Sequence, residues 1–139
     1  MREAHPGIVA DLGPFRFEKS EWLAEDLRKL GTQRPNHGLR ELPLPTDLAG
    51  LAGCLYVIEG STLGGMHLSR SGHGFPMDAG RFFRGYGVET LPAWKTFIEW
   101  LELQIPDDAG HLRAAATANE TFNWFQRQFA DMAAEMPIG

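Results

Sequence analysis

Apolar residues recur at helical spacing in four stretches of the chain. Between Lys19 and Leu30, Trp22, Leu23, Leu27 and Leu30 share one side, Glu21, Glu25, Arg28 and Lys29 supply the wet side, and Gly31 stands where a helix stops. Thr46 as N-cap, with Asp47 in the first turn, predicts a long helix through Leu48, Leu51, Leu55 and Ile58 toward Ser71 and Gly72. A third helix is predicted from Thr90 as N-cap, with Pro92 tolerated in the first turn and Trp94, Phe97, Ile98, Leu101 and Ile105 forming a stripe that ends at Pro106. The last is expected to begin at Asp107 or Asp108 and to bury Leu112, Ala115, Ala116, Phe122, Phe129 and Met136 on one side.

The stretches between these helices are rich in breakers. Pro35, Asn36, Gly38, Pro43 and Pro45 predict a loop, Gly72-His73-Gly74-Phe75-Pro76 a connection, and Arg81 to Gly87 a packed turn or short helix. No segment sustains the alternation of a strand, and no repeat is present. The expectation is an all-α bundle, four substantial helices and a fragment at the start, as one domain over 1–139.

Composition narrows the function classes. Of 139 residues, 43% are hydrophobic and 22% charged, enough apolar surface to build a core. A net charge of -5 without a Lys/Arg cluster argues against nucleic acid as a partner. The single cysteine, Cys54, excludes an intrachain disulfide and reads as a small core residue in an apolar run. The N-terminus lacks a signal-like apolar stretch, and no later segment approaches the roughly 20 apolar residues of a membrane span, so a cytoplasmic protein without membrane association is expected.

The unusual segment lies in the long helix. Gly60, Gly64 and Gly65 each weaken a helix by about 1 kcal/mol relative to alanine. Gly60 and Gly64 are one turn apart, so a strip of bare backbone is available to a flat group or a crossing helix. His67 returns to that same face.

The string Leu55-Tyr56-Val57-Ile58-Glu59-Gly60-Ser61-Thr62-Leu63-Gly64-Gly65 resembles the distal-helix signature of bacterial haem oxygenases, particularly the bacteriophytochrome-associated type. Phe82-Phe83-Arg84-Gly85-Tyr86-Gly87 and the spacing to the last helix are similar to that family too, and the resemblance covers about Glu18 to about Phe129. It implies a haem oxygenase-like helical bundle, haem as cofactor and substrate, an external electron donor, and oxidation to biliverdin, carbon monoxide and iron where the protein is active. Gly60, Ser61, Gly64 and Gly65 match the family's haem-contacting positions. Ser61 stands where some members carry an aspartate, so proton delivery would rest on water, backbone and hydroxyl groups.

The family's iron ligand is a histidine in a helix upstream of the segment matching Glu18 to Gly31, and this chain begins too late to contain that helix. No catalytic residue is therefore carried over. Ala4-His5 is followed at once by Pro6-Gly7 and corresponds to the wrong helix. The family usually has an aliphatic residue at the position of His67, which leaves two uses for it, an iron ligand or a packed or solvent-tipped side chain. His37, His73 and His111 show no metal-site spacing. Arg70, Arg81 and Arg84 have the chemistry to meet propionates, or stand as exposed arginines. Three readings remain open: an oxygenase, a catalytically degenerate haem-binding module, and an interaction module in which a second copy or another protein covers the face left by the missing helix.

Overall fold

The computed structural model of the chain describes residues 5–32, 41–70 and 79–135. Among the described residues the regular elements are all helical: α1 (Pro6–Leu12), α2 (Lys19–Lys29), α3 (Leu48–Arg70), α4 (Thr90–Gln104) and α5 (Asp108–Glu135), with 3₁₀ turns at Pro14–Phe17 and Gly87–Glu89. The fold class is all-α. The connection Gly72–Pro76, His37, His73 and Met136 lie outside the described residues.

By packing, the chain falls into two compact units, Met1–Pro35 with Ile58–Gln104 and Asn36–Val57 with Ile105–Gly139. The α3 helix contributes its second half to the first unit and its first half to the second.

In the first unit, Pro6 opens α1 with φ preset for a helix, and Gly13 closes it at φ +90°. The α4 core positions are Ala93, Phe97 and Trp100, and the Phe97 ring stacks on Trp100. Thr90 does not cap this helix from outside, as the sequence suggests. It is already helical, and its hydroxyl donates to the Gly87 carbonyl while accepting the Tyr86 N–H, joining the 3₁₀ turn to α4. Gly85 sits at φ +57°, where a Cβ would also lie 2.7 Å from the Thr62 methyl, so the turn after α3 requires glycine there.

In the second unit, the α3 cap falls one residue later than Thr46: the Asp47 carboxylate accepts the Gly50 N–H at 2.9 Å and its carbonyl accepts the Leu51 N–H. Asp107 repeats the device for α5, accepting the Gly110 N–H at 2.6 Å. Leu51, Ala52, Cys54, Leu55 and Val57 are buried. The close approach of α3 to α5 is made at Gly53, where a Cβ would overlap the Ala114 carbonyl and the Thr117 hydroxyl. Thr117 donates to the Gly50 carbonyl at 2.8 Å, and Thr121 to the Thr117 carbonyl at 2.7 Å.

The inward face of α5 is therefore not the one predicted. Thr117, Thr121 and Gln128 are buried, whereas Leu112, Ala115, Ala116, Phe122 and Phe129 are exposed. Short hydroxyl side chains that bond to backbone allow the helices to approach more closely than leucine or phenylalanine would. The α3 helix is also long and apolar enough, by length and composition, to cross a membrane, contrary to the sequence reading. About half of that stretch is buried inside the molecule, as in a core helix.

Candidate functional site

Each half of α3 organises different chemistry. In the first unit, Glu59 interrupts the apolar run just before the glycines and is 3% exposed. Its carboxylate accepts hydrogen bonds from Arg16 Nη1 at 2.5 Å, Lys19 Nζ at 2.6 Å and Tyr86 Oη at 2.9 Å. Arg16 is buried as well, and spends its other donors on the Leu12 carbonyl at 2.8 Å and the Ala93 carbonyl at 2.9 Å. One guanidinium thus ties the end of α1, the start of α4 and α3 together. A buried charge persists only when it is paired and its remaining protons are bonded, and both conditions hold for Arg16.

The Glu59 cluster holds two cations against one carboxylate. Burial pushes the Lys19 amine below its ordinary value of 10.5 with Arg16 adding to the effect, while Glu59 pulls the other way. In the unfolded chain Lys19 keeps its proton up to about that ordinary value, so just below it the unfolded state binds more protons and stability rises with pH. The Tyr86 phenol is pushed far up, by burial first and the neighbouring carboxylate second. Above 10, its ordinary value, the folded state holds a proton that the unfolded state loses, and stability falls. The urea midpoint is expected to climb over the pH units below 10.5 and then turn down, with the climb flattened in Lys19→Met. Superimposable profiles for parent and variant would contradict this account.

A second buried carboxylate, Asp26, has a different role. It accepts the backbone N–H groups of Arg81 at 3.0 Å and Phe82 at 2.8 Å, capping the 81–86 turn from α2. Above it, the Arg81 guanidinium lies 3.6 Å from the centre of the Trp22 ring and donates to the Gly85 carbonyl. Phe15, Trp22, Arg81, Arg84 and Tyr86 line an open groove of about 810 Å³.

The predicted ligand-facing residues fall in three places. Ser61, Gly64 and His67 are exposed on the second half of α3, and among the described residues a Cβ at Gly64 would meet nothing within 4 Å. Gly60 lies at the margin of that face, with Trp94 at ordinary contact distance from an added Cβ (3.8 Å). Gly65 turns instead toward the 81–86 turn, where a Cβ would stand 3.4 Å from the Phe83 carbonyl oxygen. The Ser61 hydroxyl donates to the Ile58 carbonyl at 2.6 Å, so its lone pairs, rather than its proton, are offered outward. Arg70 is exposed at the end of α3, and Arg81 and Arg84 belong to the groove.

Matched against family models, against curated proteins and against solved structures, the chain finds no counterpart in any of the three.

Other sequence candidates have structural places. His5 precedes α1 and its carbonyl accepts the Val9 N–H, and His111 is exposed on α5. Among the described residues, no group of three or more His, Cys, Asp or Glu is placed to hold a metal ion. Cys54 is buried, with the Thr121 hydroxyl 3.4 Å from its sulfur. The residues missed from sequence are Arg16, Lys19, Glu59 and Tyr86. The available signal was Glu59 itself, a carboxylate inside an apolar helical run, which requires a buried cation.

Proposed function

We propose that this chain is a haem-binding protein of haem oxygenase-like type, with the exposed glycine face of α3 as the wall for one face of the macrocycle. The observation that carries the reading is the bare backbone at Gly64: the helix gives up about 1 kcal/mol of propensity there, and no part of the described molecule makes use of the space. A glycine kept for close packing of two helices has its neighbour in contact, as Gly53 does.

The residues present fit such a group from one side. Ser61, Gly64 and His67 leave room for a flat ring, Leu68 adds exposed apolar surface at its edge, and the imidazole of His67 is the side chain that would hold the iron. Haem, when bound, would supply the redox chemistry, with oxygen and electrons from an external donor leading to biliverdin, carbon monoxide and iron. The chain's own part is to orient the ring against bare backbone and to offer the Ser61 lone pairs to ordered water. Glu59, the residue before Gly60, fixes α3 against Arg16, Lys19 and Tyr86 and so positions the glycine face.

A haemin titration followed at the Soret band, then a challenge with ascorbate under oxygen, tests the reading. Saturable one-to-one binding is expected, with a changed Soret maximum in His67→Ala and a bile-pigment spectrum after the challenge. Stable binding without conversion would support the catalytically degenerate form, and nonspecific uptake alone would overturn both.

A further inference from the structure

The groove beside the 81–86 turn stands apart from the haem reading, since none of its residues belongs to the Ser61, Gly64 and His67 face. At about 810 Å³ it falls within the size range of small-molecule sites. Its polar anchor is Arg81. Arg16, Lys19, Arg28 and Lys29 of the same unit each lie against a carboxylate. Arg81 is half-buried and, among the described residues, has no such partner: its guanidinium lies 3.6 Å from the centre of the Trp22 ring, and Nη1 donates to the Gly85 carbonyl at 2.6 Å. Asp26 does not supply the counter-charge, because its two oxygens accept the backbone N–H groups of Arg81 and Phe82. A guanidinium carries five N–H donors, and stacking on the indole holds those left over in one fixed plane. A partly desolvated cation in this state calls for an anion.

We infer that the groove binds a small aromatic carboxylate, with the carboxylate on Arg81 and the ring against Phe15 and Tyr86. Three features define this class. The first is the flat guanidinium, whose parallel N–H groups match the two oxygens of a carboxylate. The second is an aromatic corner. Phe15 and Tyr86 stand edge to face, with centroids 4.9 Å apart and planes at 82°, so a ring laid parallel to one meets the edge of the other, the arrangement that aromatic rings prefer. Phe15 is 40% exposed, and its ring packs over Gly13, which has φ +90° and no Cβ to obstruct it. The third feature is charge. Glu18, Arg84 and Glu89 also line the groove, and the two carboxylates offset the two arginines, so the surplus of positive charge that a phosphate dianion needs is absent and a monoanion is selected.

Calorimetric titration of the full chain with cinnamate, beside cinnamyl alcohol and protonated cinnamylamine, tests the inference. Cinnamate is expected to bind one-to-one with a dissociation constant below about 1 mM, the alcohol at least about tenfold more weakly, and the amine not measurably. Arg81→Met keeps the apolar contact with Trp22 and the backbone N–H groups on Asp26, and should lower cinnamate affinity about tenfold, to that of the alcohol. Phe15→Ala should weaken acid and alcohol alike, with helical circular dichroism unchanged in both variants, because its ring is exposed. The comparison of the three ligands needs the parent chain alone. Absence of saturable cinnamate binding, equal or tighter binding of the amine, or unchanged cinnamate affinity in a folded Arg81→Met variant would overturn the inference.

Discussion

Replacing Gly53 by alanine is expected to cost about 3 kcal/mol of stability, whereas the same substitution at Gly64, three turns further along the same helix, should gain about 1 kcal/mol. A methyl group on Gly53 has no room, since the Ala114 carbonyl and the Thr117 hydroxyl occupy its position. The obstructing atoms are backbone and a hydroxyl already bonded to the Gly50 carbonyl, so relief requires the two helices to move apart. At Gly64 a Cβ would meet nothing within 4 Å among the described residues, and alanine there brings its better helix propensity. Urea denaturation reads both, with similar slopes and midpoints displaced in opposite directions. Equal losses at the two sites would mean that the Gly64 face is covered in solution.

The other large effect belongs to the Glu59 cluster. Glu59→Gln preserves shape but leaves Arg16 and Lys19 without a counter-charge, and a loss of about 3–5 kcal/mol is expected. Burial rather than contact number sets the size, because an uncompensated cation must be either hydrated or neutralised. The combined replacement Arg16→Met, Lys19→Met and Glu59→Leu should recover a large part of that loss, as apolar residues of similar volume often match a buried ion pair in stability. If the triple variant is less stable than Glu59→Gln, the hydrogen bonds from Arg16 to the Leu12 and Ala93 carbonyls matter more than the charges. By contrast, the exposed pair of Asp47 and Arg113 holds the Asp47 carboxyl down at about 2, a direction that matters only in acid.

These two clusters also mark where sequence reasoning stops. Element positions were legible because helical period and stop signals are local: α2, α4 and α5 begin and end within a residue or two of the limits set by Gly31, Pro106 and Asp107. Thr46 and Asp47 are both competent caps, and only the structure shows that Asp47 bonds the Gly50 N–H. The inward face of α5 was misread because apolar weight pointed to Leu112, Phe122 and Phe129, whereas a close crossing at Gly53 selects Thr117 and Thr121. The partners of Glu59 are set by tertiary placement: Arg16 lies in a 3₁₀ turn and Lys19 opens α2, and nothing in their local pattern marks them as buried.

The candidate site divides in the same way. That Gly60, Gly64 and His67 share a side follows from 3.6 residues per turn, and the structure places Gly64 and His67 in the open. That Gly65 looks toward Phe83 follows from the path of the 81–86 turn, which Asp26 holds from another helix. Among the described residues the three glycines of the motif therefore have different neighbours: an indole ring, open space and a backbone carbonyl.

The most direct measurement of the central claim is a haemin titration of the Gly64→Phe variant beside the parent and a control, Val88→Phe, at an exposed position in the turn before α4. A ring at Gly64 occupies the proposed contact surface without touching the described core, so haemin affinity should fall at least about tenfold. Affinity should be unchanged in the control, and both variants should retain the parent's helical content. Equal haemin affinity in parent and Gly64→Phe would contradict the account, because the ring would then be bound somewhere other than the glycine face of α3.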